Sequence, residues 1–479
     1  MGYLERIDSY KDEMIRVLAD SVACPSVDAP EVRTADGEVY PFGKGVQDAL
    51  VHMLKVGEEL GFESCNLDNY AGYIDYRIPG EEGDKAPLCA IVGHLDVMPE
   101  ATGWHTDPFK LEEKDGFLYG RGTSDDKGPV VAGLYAMKAL KEEGIPLKAN
   151  IRLVLGLNEE TGESSIAYYT EHCGHPDMGF TPDGEFPIVN GEMGILTFEL
   201  AQKLSPVLNK DELRLTKFES GVAPNAVPEG AKAVIAGDKK YFDHIIETAK
   251  AYAEETGYTV KAYKQGASLV IETKGVAAHG AHPNLGLNAA SIMMGLLGRI
   301  GFASEELNDF IAFYNEHIGF NLHGEEIGCK LEDKYSGPLI FNVGLANINE
   351  ELASVTVNLR YPVLCKGEEV LSGIQSTLEG TQIGLVMRAS QNPIFMDLDT
   401  PMVKKMLAAY QEETGDHESA PIIEPGGTYA KMVNNILCFG AMFPGEENTM
   451  HQADEKFSIE SFMKMTRVFA RTLYSLCCE

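Results

Sequence analysis

The chain has no CxxC pair, no long apolar run and no excess of basic residues, and each absence removes a class of protein. Its nine cysteines (24, 65, 89, 173, 329, 365, 438, 477, 478) are odd in number and scattered. That pattern fits reduced thiols better than a disulfide framework or a structural zinc site. No apolar stretch approaches the roughly 18–20 residues that span a bilayer. The first residues, MGYLERIDSYKDEM, lack the basic and apolar regions of a signal peptide. Arg6 stands where myristoylation wants Ser or Thr, and the closing LCCE is not a prenylation box. A cytoplasmic protein is the expectation. Only 40 Lys+Arg stand against 73 Asp+Glu, a formal net charge of -33. Such a field repels nucleic-acid phosphates and anionic lipids, so neither nucleic acid nor membrane is an expected partner.

What is present suits a soluble globular protein: 479 residues, 44% hydrophobic and 24% charged. This length exceeds what one core usually organises, which predicts two domains, one of them discontinuous. Up to about residue 190, helical and strand patterns alternate. Residues 3–22 and Gln47–Leu60 have apolar positions at helical spacing. Pro87–Gly93 and Asn150–Gly156 read as buried strands, and Pro129–Leu140 between them as a helix with Pro in its first turn. This alternation predicts an α/β catalytic domain with a largely parallel sheet. From about Gly194 the texture changes to alternating segments, ILTFEL, SLVIETK and SVTVNLRYP, interleaved with helices near 239–255 and 286–302. After about residue 388 the first texture returns, in Pro401–Thr414 and Ile436–Phe439. The predicted order is therefore a first domain at 1–193, an inserted α+β domain at 194–388, and the rest of the first at 389–479. There is no tandem repeat and no low-complexity tract.

Five polar clusters interrupt this pattern. His94 and Asp96 follow the apolar run PLCAIVG, where an open α/β sheet places ligands. By themselves they also fit a strand ending in a polar turn. Asp125 and Asp126 lie between glycines at a helix start, where they fit a helix cap or a cation bridge. Glu159 and Glu160 follow the second buried strand; adjacent side chains there point apart, so one can ligate metal while the other faces substrate. Asp183 sits in the turn TPDGE, and His451 far downstream in TMHQADE. Together they offer two imidazoles and several carboxylates without a nearby cysteine. That N/O set suits zinc or a similar divalent ion.

GHLDVMP, YGRGTSDDKGP, NEETG, TPDGEFP and FPGEENTMHQADE closely resemble the dinuclear-zinc exopeptidase family, which includes carnosinase and succinyl-diaminopimelate desuccinylase. The order and spacing hold from about residue 10 to near the C-terminus. The length and the NLRYP and GGTYA motifs resemble the PepV-type Xaa-His dipeptidases most closely. The resemblance implies a di-metal site under a lid domain. His94 and Asp183 would hold one ion, Glu160 and His451 the other, and Asp125 would bridge both. A cis peptide is implied at Asp125–Asp126. Glu159 matches the general base, and Asp96 the carboxylate behind the ligand His94.

In the inserted domain, GVAAHGAHPNLGLN resembles the lid motif in which His279 stabilises the oxyanion, with His282 a nearby competitor. Asn225 and Arg360 match substrate-holding residues, although Arg360 also fits an ordinary ion pair at a strand end. Gly426, Gly427 and Thr428 match a loop whose N–H groups receive the substrate carboxylate. Ser124 departs slightly from the usual Thr or Ala. The implied activity is hydrolysis of unblocked dipeptides by a monomer. Two divalent ions are implied, zinc first, with manganese or cobalt as alternatives that an oxygen-rich set tolerates. Asp126 is a candidate partner for the substrate amine. The alternatives are an N-acyl-amino-acid deacylase or desuccinylase with the same metals, and a non-catalytic binding protein of the same fold.

Overall fold

The two buried runs become neighbouring strands of a nine-stranded sheet in the computed structural model, which describes residues 2–479. Across that sheet from Val189–Glu192 the order is Ile436–Cys438, Met178–Thr181, Leu88–His94, Asn150–Gly156, Ala71–Tyr76 and Glu63–Leu67. From Ile436–Cys438 to Asn150–Gly156 the pairings are parallel. On both sides of that block they turn antiparallel. The expectation of a largely parallel sheet thus holds in the middle and fails at the flanks. One flank is a hairpin: Asp68 and Asn69 take φ of 50° and 63° between its strands. So short a connection can only reverse the chain.

The helix Lys127–Glu143 is buried along most of its length and packs against the sheet and the helix Ile459–Cys477. Pro129 lies in its first turn, where a missing N–H removes no helical bond. Gly144 closes it in the left-handed conformation. The predicted helix over 3–22 is two helices, Tyr3–Ser9 and Lys11–Val22. Tyr10 interrupts it by donating its N–H to Ile7, while its hydroxyl reaches Glu142 at 2.6 Å.

The chain divides into two compact units. The first runs to Gly191 and resumes at Phe395–Ile423 and Gly427–Glu479. The second is Glu192–Ile394 together with Glu424–Gly426. It is built on an eight-stranded sheet: Thr259–Gln265, Ser268–Lys274, Gly230–Ala236, Arg214–Ser220, Ile340–Asn349, Leu352–Tyr361, Gly194–Lys203 and Gly384–Gln391. Every pairing in it is antiparallel. Gly194–Lys203 alternates buried and half-buried residues, as a sheet with one covered face requires. Helices Phe242–Thr256, Ala289–Leu297, Glu305–His317 and Gly367–Leu378 contribute to its core. Among the described residues no helix is long and apolar enough to cross a membrane.

Candidate metal centre

Three parallel strands of the first unit end on one edge, and each delivers acidic or imidazole groups there. Leu88–His94 ends on His94, which pairs in register with Gly156 at the end of Asn150–Gly156. Glu159 and Glu160 follow that second strand, and Asp183 follows Met178–Thr181. Lys127–Glu143 starts at the same place, so Asp125 and Asp126 arrive just before its first turn. His451 comes from a returning loop and holds a φ of 62°, a left-handed value uncommon for a residue with a Cβ.

The side chains converge closely. His94 Nε2 lies 3.0 Å from Asp125 Oδ1 and 3.8 Å from Asp183 Oδ2. His451 Nε2 lies 2.9 Å from Asp125 Oδ2 and 3.0 Å from Glu160 Oε2. Asp125 therefore turns one oxygen to each imidazole. Two groups of three have ligand atoms within 4.8 Å of one another: His94, Glu159 and Asp183, and Asp125, Glu160 and His451. The peptide Asp125–Asp126 is cis.

Asp96 sits behind His94. Its carbonyl and its Oδ1 lie 3.0 and 3.3 Å from His94 Nδ1. Its Oδ2 accepts the Glu160 N–H at 3.0 Å, so one carboxylate touches both strand ends. An imidazole held through Nδ1 in this way offers the Nε2 lone pair forward.

The electrostatics ask for a cation. Burial and then the Asp183 charge push Glu159 well above the ordinary carboxylate range. Burial and Asp125 push Asp183 up to about 7, and the same two causes raise Glu160. Burial opposes charge on His451, yet its hydrogen bonds to Asp125 and Glu160 push it up to about 11. His94 likewise rises against its burial, through Asp125 and Asp96. Asp125, raised by burial but lowered more by both imidazoles, ends below the usual range. Acids driven toward neutrality beside imidazoles driven toward charge are what a cluster of metal-type donors does when protons must supply its positive charge. The donor set fits divalent ions of the zinc, manganese or cobalt kind.

Asp126 does not fit a role in binding a substrate amine. It is 0% exposed and turns back into the fold, its Oδ2 accepting the His94 N–H at 3.0 Å. Its neighbour Asp125 takes the forward direction, toward His94 and His451.

Two residues without an assigned role hold the site together. Glu455 Oε2 accepts from Arg121 Nη1 at 2.9 Å, and its Oε1 accepts from the Ser124 N–H and hydroxyl, each at 3.0 Å. Gly122 N–H donates to both oxygens. The His451 loop is thereby tied to the Asp125 loop by a buried ion pair. Both residues stood inside quoted motifs, but nothing local pairs positions so far apart in the chain. Tyr429 lies near-perpendicular to the His94 ring, with centroids 6.3 Å apart.

The remaining predicted residues belong mainly to the second unit. Asn225 and His279 are brought together: Asn225 O accepts the Gly280 N–H at 2.7 Å, and Ala226 bridges to His279. His282 stays beside His279, ring centroids 6.5 Å apart. Arg360 is buried on Leu352–Tyr361, its Nε donating to Asn358 at 3.2 Å and its Nη1 to Pro425 O at 2.7 Å. The Gly426 N–H already donates to Glu424 at 3.3 Å, so that amide of the predicted carboxylate loop is engaged. Thr428 Oγ1 accepts from Ala430 N–H, and Gly427 is exposed.

Comparison with known proteins agrees with this picture. The model of peptidase family M20/M25/M40 matches residues 90–475. "Putative dipeptidase YtjP" of Bacillus subtilis (strain 168) is 32% identical over 472 residues, covering 97% of each chain. Human carnosine dipeptidase 1 shares the fold with a TM-score of 0.54 at 17% identity, over 99% of this chain and 98% of that one. Aminoacylhistidine dipeptidase from Vibrio alginolyticus gives 0.54 at 14% identity, over 97% and 96%.

Proposed function

Because the chain belongs to peptidase family M20/M25/M40, we propose that this hydrolase is a dipeptidase with two divalent ions, zinc first, acting on unblocked dipeptides. The observation that supports this most is the Asp125 carboxylate, divided between His94 and His451 with Glu159 beside them. His94 and Asp183 would hold one ion, Glu160 and His451 the other, and Asp125 both. Bound there, such ions supply Lewis acidity toward a carbonyl and lower the pKa of a nearby water.

The chain's own groups do the rest. Glu159 takes the proton of the attacking water and passes it to the nitrogen that leaves. Asp96 keeps His94 turned forward. His279 donates to the oxyanion as the carbonyl carbon becomes tetrahedral. Arg360 meets the free carboxylate with the donors that Asn358 and Pro425 leave over, supported by Asn225 and the Gly426–Thr428 loop. A clamp on the carboxylate next to the scissile amide limits the leaving side to one residue.

A panel of dipeptides, tripeptides, C-terminally amidated dipeptides and N-acyl amino acids, each with added zinc, manganese or cobalt, tests the reading. Free dipeptides should be cleaved far better than the rest. Preferential cleavage of N-acyl amino acids would make the protein a deacylase instead, and no hydrolysis with any metal would leave a binding protein. Sedimentation at assay concentration should show a monomer.

A further inference from the structure

Asn342 makes two hydrogen bonds that no catalytic reading requires. It lies on Ile340–Asn349, opposite Asn358 on the strand that carries Arg360, and is 2% exposed. Its Nδ2 donates to Pro224 O at 3.0 Å and to Ala226 O at 3.1 Å. These two carbonyls flank Asn225. The Asn225 carbonyl in turn accepts the Gly280 N–H at 2.7 Å, next to His279.

The backbone here is packed as closely as it can be. A Cβ on Gly280 would lie 2.8 Å from Asn225 O and 3.0 Å from Asn342 Nδ2. A Cβ on Gly344, two residues along from Asn342, would lie 2.0 Å from Pro224 O. Neither position admits a side chain without moving the loop. Asn225 and His279 are both exposed, on irregular segments with no helix or long strand to fix them. Carbonyls partly withdrawn from water need donors, and one amide group meets two of them here.

We infer that Asn342 is a positioning residue, which locks the Asn225 and His279 segments into one body so that both side chains reach substrate in a fixed relation. The inference rests on the reading of those two as substrate-holding residues. It concerns the second unit alone and leaves the metal ligands untouched. Displacing a reacting or stabilising group by about 1 Å costs on the order of 10²-fold in rate, so loss of the lock should be visible in turnover.

The test uses the full chain loaded with zinc, with Asn342→Leu and the isosteric Asn342→Asp, neither of which can donate as the amide does. Each should fold, keep its metal, and lose about 10- to 100-fold in kcat/KM on a free dipeptide. Hydrogen exchange at the Gly280 amide should quicken in both. In an Asn225→Ala/His279→Ala background, adding Asn342→Leu should change kcat/KM by no more than about twofold, because nothing is left to position. An undiminished penalty in that background, or unaltered exchange at Gly280, would overturn the proposal. Should Asn225→Ala/His279→Ala itself match the wild type, the substrate-holding reading fails, an outcome separate from the exchange result.

Discussion

Glu159 and Glu160 are neighbours in sequence with different surroundings, and the difference is open to measurement. Glu160 Oε2 meets His451 while its Oε1 accepts the Met98 N–H at 3.1 Å, so it is fixed at both oxygens. Glu159 groups with His94 and Asp183 and carries the larger upward shift. Glu159→Gln should keep both ions by elemental analysis and lose about 10²–10⁴-fold in kcat. Glu160→Ala should lose metal first, and activity as a result. Equal metal loss in both variants would count against the division of roles. His52 allows a prediction away from the site: burial lowers its pKa from 6.5, against a hydrogen bond to the Val17 backbone that favours the charged ring. A folded-state pKa below the unfolded one means that the unfolded chain binds the extra proton. The contribution of His52 to stability is therefore complete above about pH 6.5 and falls away as pH drops through the folded value. Thermal midpoints at pH 5 and pH 8 should differ less in His52→Gln than in the wild type.

At the scale of elements, the ion pair between Arg121 and Glu455 joins two loops that must agree in position. Removing one partner of a buried pair costs about 3–5 kcal/mol. Glu455→Gln should thus lower the midpoint of chemical denaturation and weaken metal retention together, whereas a surface pair such as Lys44–Asp48 should be silent on both. The contrast shows what could be read ahead of the structure. Asp125, His94 and Glu160 were legible because each sits directly after an apolar run or before a helix, and a ligand's place at a sheet edge follows from local pattern. Asp126 was misread because the pattern places an acid without its direction. Glu455 and Asn342 were illegible as partners, since their work depends on contacts with residues more than a hundred positions away. The break at Tyr10 escaped for a related reason: helical spacing runs straight through it, and only the long-range bond to Glu142 marks it.

For the whole molecule, the ligand groups lie in one unit and Asn225, His279 and Arg360 in the other, each unit with its own hydrophobic core. A ligand that binds only folded protein stabilises the part that holds it. Calorimetry with excess zinc and then with chelator should shift the transition of the metal-bearing unit upward in zinc and leave that of the other near its place. A single transition moving as one would mean that the units unfold together. Arg360→Ala should leave both transitions and the metal content alone. It should also narrow the preference for free over amidated dipeptides.

The strand Ile436–Cys438 lies between Val189–Glu192 and Met178–Thr181, and its segment returns from far along the chain. Synthesis therefore delivers the middle of the first sheet after its edges. A ribosome that has made everything up to residue 430 has synthesised a sheet with a gap in it, the whole inserted unit, and every group of the candidate centre except His451. His451 follows within the same late segment as the missing strand. Under the proposed ligand assignment, a nascent chain therefore lacks one imidazole of the centre until the missing strand has already been made.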